Sequence, residues 1–346
     1  MPHDSKRPIP QTNIELTPIN APQSWQDELA NLVCEPEQLL DALQLDAASL
    51  PEMKKAAELF PLRVPRSYLA RIKKGDLNDP LLRQVLPLGM ETLATEGYTI
   101  DPLGEKQSNP APGLVHKYRG RVLLIAAPQC AIHCRYCFRR HFDYNANTPS
   151  REKWQEAFQY IMDDPSIEEV ILSGGDPLAL SDRQLGWLYK KISQIPHITR
   201  IRIHTRLPIV VPSRITTELL NILRQSPLPT VMVTHCNHPQ EIDVHVQQMF
   251  KQLKGVTVTI LNQAVLLKSI NDNAPIQATL SKRLFSCGVM PYYLHLLDKV
   301  SGAAHFNVEE GAAKRIYNEL LATLPGYLVP KLVREAAGAK SKTPVL

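Results

Sequence analysis

The spacing of hydrophobic residues changes along the chain. Between residues 24 and 105, apolar residues recur at helical intervals that prolines interrupt, which predicts a helical N-terminal region. The helices predicted there cover residues 24–45, 65–74 and 80–85. Residues 1–23 contain five prolines among mostly polar residues and are expected to form a flexible arm.

From residue 121 onwards, short runs rich in β-branched residues alternate with helical patterns. The predicted strands cover residues 122–126, 169–172, 200–203, 231–234, 256–261 and 289–294. The predicted helices cover residues 151–163, 182–194, 215–225, 241–253, 276–285 and 309–324. This alternation is typical of βαβ units and a parallel sheet. Six units in series favour an α/β fold with an open, partial (β/α)6 barrel over a doubly wound sheet. We expect this core to span residues 106–330, followed by a C-terminal segment at 331–346.

Polar residues follow each predicted strand. The segments concerned are 130–137, 173–177, 204–206, 234–238, 262–263 and 295–298. The carboxyl ends of parallel strands share one face of a barrel, and active sites are built on that face. The pattern therefore predicts a single pocket lined by these segments.

Composition narrows the class of protein. The chain is 44% hydrophobic and 21% charged, as in a globular protein with a sizeable core. Its 39 basic and 34 acidic residues give a net charge of +5, too small to indicate a nucleic-acid or membrane partner. There is no apolar stretch of about 18 residues and no secretory signal, so a cytoplasmic location with reduced thiols is expected.

Three of the six cysteines lie within eight residues, with the spacing CxxxCxxC: Cys130, Cys134 and Cys137. Three thiolates on one loop can bind three irons of a cubane cluster and leave the fourth iron open to a ligand. Zinc is an alternative, with His133 or His141 as its fourth ligand. A purely structural role is disfavoured because closely spaced free thiols are prone to oxidation.

A CxxxCxxC motif after the first strand of a partial barrel resembles the radical SAM enzymes. The resemblance implies a [4Fe–4S] cluster whose open iron binds S-adenosyl-L-methionine and whose electron cleaves it to a 5′-deoxyadenosyl radical. Gly174, Gly175 and Asp176 match the glycine-rich motif that contacts the methionyl end of this cofactor. Glycine suits such a position because it allows close backbone approach.

Within that superfamily, the chain resembles the lysine 2,3-aminomutase family from about residue 101 to its end. The match rests on segments 137–140, 174–176, 234–239, 261–263 and 292–298. It implies an isomerase that converts L-lysine to (R)-β-lysine and uses pyridoxal 5′-phosphate as a second cofactor. In this reaction the radical takes a hydrogen atom from the β-carbon, and the amino nitrogen migrates from the α- to the β-carbon.

The resemblance also implies the residues that bind pyridoxal phosphate. By position, Lys342 matches the lysine that forms the Schiff base with this cofactor. Lys340 is a competitor, because only Gly338 remains of the glycine run that precedes the lysine in the family. The other implied cofactor contacts are Lys117 and Arg121, for the phosphate, and Gln263.

Three residues are implied to bind the substrate. Arg139 matches the family arginine that binds the substrate carboxylate, to which a guanidinium fork is well suited. Asp298 and Glu335 fall where the family places acids that face the ε-ammonium group, although the family has aspartate at the second position. Two acids there would also discriminate against glutamate by charge.

The chain ends four residues after Lys342, which resembles the short branch that makes (R)-β-lysine for the modification of elongation factor P. The partners implied are L-lysine, elongation factor P with its ligase, and a reductant such as flavodoxin. Two alternatives stay open. One is another radical SAM aminomutase, such as a glutamate 2,3-aminomutase. The other is a non-catalytic iron–sulfur or zinc binding module.

Overall fold

The computed structural model describes residues 24–144, 147, 150–256 and 258–346, so the arm predicted at residues 1–23 lies outside the described residues. The described chain begins with α1 (Trp25–Ala30), α2 (Pro36–Leu43), α3 (Leu50–Leu59) and α4 (Arg66–Leu69). The single helix predicted at 24–45 is therefore two helices. Pro36 can begin a helix but cannot continue one, and the chain before it bridges Val33 to Val64.

The remaining N-terminal predictions are partly wrong in length. The helix predicted at 65–74 is reduced to α4, and the one at 80–85 is a single 3₁₀ turn at Leu82–Gln84. Helix α3 was not predicted, because its many polar residues leave only Met53 and Ala56 buried. None of the described helices is long and apolar enough to cross a membrane.

The described strands form one nine-stranded sheet in sequence order. The strands are β1 (Leu114–Tyr118), β2 (Arg121–Ala127), β3 (Glu169–Gly174), β4 (Arg200–Thr205), β5 (Thr230–His235), β6 (Val258–Val265), β7 (Met290–His295), β8 (Lys331–Arg334) and β9 (Thr343–Pro344). Strands β2 to β8 are parallel, and the two outermost strands are antiparallel to their neighbours. The predicted partial barrel is confirmed, and its six predicted strands correspond to β2–β7.

Helices connect the parallel strands. They are α5 (Arg151–Asp163), α6 (Asp182–Ile192), α7 (Leu207–Val210), α8 (Thr217–Gln225), α9 (Val244–Lys254), α10 (Ala274–Ser286) and α11 (Glu310–Thr323). The six predicted helices correspond to all of these except the short α7. Capping side chains explain where five of the six begin, because each accepts a hydrogen bond from a backbone N–H of the first turn. The capping residues are Ser150, Ser181, Thr216, Asp243 and Asn273.

The two faces of the sheet have different environments. Along β3, Ile171 and Ser173 line an internal cavity, whereas Val170 and Leu172 lie in the hydrophobic core with residues of the surrounding helices. Successive side chains of a strand point to opposite faces, so this alternation continues on neighbouring strands. Cavity-facing residues there include Arg202 and His204, Gln263 and Val265, and Tyr293 and His295.

The two ends of the sheet meet through charged side chains. Lys117 lies on β1, and Glu335 directly follows β8. Their side chains form an ion pair with an Nζ–Oε1 distance of 3.5 Å. Since six strands separate β1 from β8 in the sheet order, this contact requires the sheet to curl around the cavity. The barrel is thus joined at this point by an ion pair instead of a backbone ladder.

The N-terminal region holds the loop that carries the three clustered cysteines. Arg135 of that loop is fully buried and donates hydrogen bonds to both carboxylate oxygens of Glu91 and to the Phe60 and Ala56 carbonyls. Arg140 donates to the same carboxylate at 2.8 Å. Charge-assisted bonds of this kind, shielded from water, tie the loop to the helices before it.

Candidate active site

A cavity of about 440 Å³ lies inside the curved sheet, at the carboxyl ends of the parallel strands. All thirteen site residues predicted from the sequence line it: Lys117, Arg121, Cys130, Cys134, Cys137, Arg139, Gly174, Gly175, Asp176, Gln263, Asp298, Glu335 and Lys342. Residues up to 225 positions apart thus meet in one place. Their individual roles stay predictions.

The three clustered thiols face this cavity from the loop after β2. Burial and the neighbouring cysteines raise the pKa of the Cys130 thiol, and burial together with Cys134 raises the pKa of Cys137 to about 12. Thiols in this state release protons when they bind a metal. Three sulfur donors on one short loop are the donor set that iron–sulfur clusters use, so the residues present fit a cluster.

The histidines that could complete a zinc site are turned elsewhere. His133 Nδ1 lies 2.7 Å from the Pro61 carbonyl oxygen, and its ring stacks on Phe60 at a centroid distance of 4.7 Å. His141 contacts the Ser301 carbonyl, and neither histidine lines the cavity. Across the described residues, no three His, Cys, Asp or Glu side chains converge as they would around one metal ion.

The glycines after β3 are required by the backbone beside them. A Cβ atom at Gly174 would lie 2.6 Å from the Ala127 carbonyl oxygen, and one at Gly175 would lie 2.5 Å from that of Gln129. Gly174 also has a φ of +113°, in the region that favours glycine. Both glycines therefore allow the end of β3 to approach the backbone that leads into the cysteine loop.

Asp176 was predicted to contact a cofactor, but its buried carboxylate is already engaged by the protein. It accepts hydrogen bonds from the Thr205 hydroxyl at 2.6 Å and from the backbone N–H groups of Leu178, Arg206 and Leu207. Four donors leave little capacity for a ligand. Asp176 thus joins the ends of β3 and β4 in the cavity wall, and its predicted contact with a cofactor stays a prediction.

Five charged side chains form a continuous ion-pair chain along the cavity: Arg139, Glu105, Lys117, Glu335 and Lys342. Arg139 donates to both oxygens of Glu105, at 2.7 and 2.8 Å. Lys117 lies 3.4 Å from Glu105 and 3.5 Å from Glu335, and Lys342 donates to Glu335 at 2.7 Å. Sequence reasoning missed Glu105, because it belongs to a 3₁₀ turn (Glu105–Ser108) outside every recognised motif.

The two acids predicted to face an ammonium group differ in charge state. Burial opposes ionisation of Glu335, but the ammonium groups of Lys342 and Lys117 lower its pKa to about 2. Burial raises the pKa of Asp298 to about 7, and the negative charge of Glu335 adds to this rise. The pair therefore carries one full negative charge and a second carboxyl that ionises near neutral pH.

The C-terminal segment places Lys342 and not Lys340 in the cavity. The Lys342 side chain is 20% exposed, whereas Lys340 is exposed and does not line the cavity. Strand β9 begins at Thr343, which pairs with Arg334 of β8, so Lys342 is held beside Glu335. Gly338, with a φ of +73°, provides the left-handed residue of the turn between these strands. One glycine is enough for that turn.

Polar groups of the sheet complete the cavity wall. The guanidinium group of Arg121 lies 4.7 Å from the centre of the Tyr118 ring, and Arg202 is paired with Glu169. The buried Nε2 atom of His204 has no hydrogen-bond partner. An unpartnered polar atom beside a basic residue fits an anionic, hydrogen-bonding ligand such as pyridoxal phosphate.

Comparison with known proteins gives the class of this site. The Radical SAM superfamily matches residues 124–252, which contain the cysteine loop and strands β3 to β5. These residues therefore form a radical SAM domain, and that superfamily uses a [4Fe–4S] cluster and S-adenosyl-L-methionine.

Relatives identify the family. The chain is 49% identical over 325 residues to a protein named L-lysine 2,3-aminomutase from Haemophilus influenzae, and 49% identical over 330 residues to one of the same name from Escherichia coli. Each alignment covers 94% of this chain and 96% of the relative. A namesake from Clostridium subterminale is 33% identical over 93% of this chain and 77% of its own length. The chain belongs to the L-lysine 2,3-aminomutase family, and the prediction of an isomerase is confirmed.

We predict that Asp298 makes the protein less stable as the pH rises. Its pKa is about 7 in the folded protein against 3.8 for a free side chain, so between these values the folded state binds more protons. The contribution of Asp298 to the free energy of unfolding should therefore fall between about pH 4 and 7, by a few kcal/mol at about 1.4 kcal/mol per unit. Asp298→Asn should abolish most of this fall in urea unfolding of the cofactor-free protein.

The exposed Asp163 offers the matched control, and Asp163→Asn should keep the wild-type pH profile. Glu335 contributes in a separate window below about pH 4.5, because its pKa is lowered, and this contribution should persist in both variants. A wild-type slope between pH 4 and 7 in Asp298→Asn would contradict the assignment.

Proposed function

We propose that this protein converts L-lysine to (R)-β-lysine with a [4Fe–4S] cluster, S-adenosyl-L-methionine and pyridoxal 5′-phosphate. The observation that carries the proposal is the composition of one cavity. It contains a guanidinium group at Arg139, two acids at Asp298 and Glu335, and an amine at Lys342. These groups complement the carboxylate and the ammonium of lysine and offer an attachment point for the aldehyde of a cofactor.

Cys130, Cys134 and Cys137 would hold the cluster, and Lys342 would hold pyridoxal phosphate, with Arg121 near its phosphate. When bound, these groups supply hydrogen abstraction at the β-carbon and an electron sink for the migrating nitrogen. The protein's own part is to fix the substrate at both ends. Holding the reacting atoms in one geometry is a large share of what an enzyme contributes to such a step.

The acids are suited to an incoming ammonium group. In the free protein, Glu335 accepts a hydrogen bond from Lys342 at 2.7 Å. A substrate ammonium carries the same charge and can take the same bond, so Glu335 need not become unpaired when Lys342 engages the cofactor. A cation beside Asp298 would also favour its ionised form and lower its pKa from about 7. Binding would thereby release a proton and strengthen the contact.

This charge pattern disfavours the alternative substrate glutamate. A second carboxylate placed at Asp298 and Glu335 would meet like charges in a buried site, and like-charge contacts cost several kcal/mol. The same pattern does not discriminate between lysine and shorter diamino acids, which would have to be rejected by length.

We further propose that the product serves the modification of elongation factor P, with the ligase of that pathway as the next enzyme and flavodoxin or a similar protein as reductant. The support is the resemblance to the branch of the family that serves this modification. Of the relatives compared, those from Haemophilus influenzae and Escherichia coli are 49% identical to this chain, whereas the one from Clostridium subterminale is 33% identical.

Turnover of lysine is the central prediction. Protein reconstituted without oxygen with iron, sulfide, pyridoxal phosphate, S-adenosylmethionine and dithionite should convert L-lysine to (R)-β-lysine, detected by chiral NMR or mass spectrometry. Asp298→Asn should reduce kcat/KM for lysine at least tenfold, because a buried charge-assisted contact is worth about 1.5–3 kcal/mol. The control, Asp163→Asn, should match wild type.

The alternative function, a glutamate aminomutase, predicts a different substrate and a different effect of Asp298→Asn. A glutamate aminomutase would turn over L-glutamate instead, and Asp298→Asn would leave that activity intact or improve it. Absence of β-lysine from wild-type protein that carries both cofactors would refute the proposed reaction.

Lys342 should be the lysine that carries pyridoxal phosphate. Borohydride reduction and peptide mapping should find the label on Lys342, and Lys342→Arg should abolish both the label and turnover while keeping a cation beside Glu335. Lys340→Arg is the matched control and should retain both, since Lys340 is exposed outside the cavity. A label on Lys340 would overturn the assignment.

The proposed link to elongation factor P can be tested by deletion of the gene and addition of (R)-β-lysine. In the host organism, deletion of the gene should remove the β-lysyl group from elongation factor P, as measured by intact-protein mass spectrometry, and added (R)-β-lysine should restore it. An unmodified mass in the wild-type host would refute the pathway while leaving the aminomutase activity untouched.

A further inference from the structure

Arg206 has no part in the function proposed above, yet it contacts the predicted cluster loop. It directly follows β4, and its side chain is 7% exposed. Its Nη1 atom donates a hydrogen bond to the sulfur of Cys134. The same nitrogen donates to the Tyr136 hydroxyl at 2.8 Å. A buried cation therefore lies against one of the three thiols.

The rest of the guanidinium group is fixed by the protein. Its Nη2 atom donates to the side-chain oxygen of Gln84 at 2.7 Å and to Glu241 at 3.0 Å. Gln84 comes from the N-terminal region and Glu241 from the segment after β5, so Arg206 is held from two directions. This anchoring keeps Nη1 aimed at the sulfur of Cys134.

The charges around Arg206 are few and well defined. Glu241 is fully buried, and although burial opposes its ionisation, Arg206 and the Asn237 backbone N–H lower its pKa. Burial and the charge of Arg206 lower the pKa of His235 to about 3, so this neighbour is neutral. Arg206 and Glu241 thus form one neutral pair whose positive end faces Cys134.

We propose that Arg206 is a positioning residue that orients Cys134 and raises the reduction potential of the cluster this cysteine helps to bind. The proposal rests on the predicted role of Cys134 as a cluster ligand. Hydrogen bonds to cluster sulfurs and nearby charge are known determinants of such potentials. Reduction adds one negative charge to the cluster, and a fixed donor and cation stabilise that charge.

Two substitutions should move the potential in opposite directions. Arg206→Gln removes the cation and leaves Glu241 as an unpaired anion, so both effects favour the oxidised cluster. We expect the ratio of reduced to oxidised cluster at a given potential to fall at least tenfold, a shift of about 59 mV for one electron. Glu241→Gln leaves the positive charge of Arg206 uncompensated and should shift the potential upwards.

The measurement is a redox titration of the reconstituted protein without S-adenosylmethionine, followed by the EPR signal of the reduced cluster. Arg206→Lys keeps the positive charge but loses the planar guanidinium group with its several N–H donors. Its reduction potential should lie between those of wild type and Arg206→Gln. Arg214→Gln is the matched control. Arg214 is fully buried and, like Arg206, is paired with an acid, Asp182, at 2.8 Å, but it does not line the cavity.

The outcomes separate this proposal from the proposed function. If wild-type protein assembles no cluster and Cys134→Ser changes nothing, the assignment of the cysteines fails. If the cluster assembles and the Arg206 and Glu241 variants titrate like Arg214→Gln, only the role of Arg206 is refuted. An unchanged potential in Arg206→Gln with weakened binding of S-adenosylmethionine would likewise overturn it, by assigning Arg206 to that ligand.

Discussion

The ion pair between Lys117 and Glu335 joins the two ends of the sheet, and the geometry of the cavity depends on it. Each of these two residues also forms an ion pair with a further side chain. Glu105 and Arg139 extend the series on one side and Lys342 on the other, so positive and negative charges alternate through the cavity wall. Buried charges are costly unless each has an opposite neighbour, and the alternation meets that condition with five residues from four separate segments. The barrel can therefore curl around a highly charged interior without a continuous backbone ladder at its opening.

A wall of this kind is also prepared for a zwitterionic substrate. The protein already holds a group of the same charge where the carboxylate and the ε-ammonium of lysine would bind. Glu105 is hydrogen-bonded to Arg139, and Lys342 is hydrogen-bonded to Glu335. Substrate binding under the proposed function is then an exchange of partners more than the creation of new charge pairs. Exchange limits the desolvation penalty that two bare charges would otherwise incur.

The elements that depend on the local pattern of apolar and polar residues could be predicted from the sequence. Strands β2–β7 are β-branched runs between capped helices, and the polar residues after them meet because parallel strand ends share one face. The short outer strands β1, β8 and β9 were not predicted, because their sequences show little alternation of apolar and polar residues. Glu105 was missed, since its partner Arg139 lies 34 positions away in the chain. Arg206 was placed in the predicted pocket as part of segment 204–206, but its contact with Cys134, 72 positions away, was not predicted. A motif match also does not reveal that four backbone and hydroxyl donors surround the carboxylate of Asp176.

The N-terminal region shows why motifs alone understate what a site requires. None of its residues belongs to the cysteine, glycine or lysine motifs. Yet Glu91 accepts hydrogen bonds from Arg135 and Arg140, and Gln84 accepts one from Arg206 beside Cys134. The cysteine loop also packs Ala131, Ile132 and Tyr136 into apolar clusters, and the buried, charge-assisted bonds add directional contacts to this packing. The helices before the barrel are therefore part of the support of the candidate active site, and the position of the cluster ligands depends on their packing.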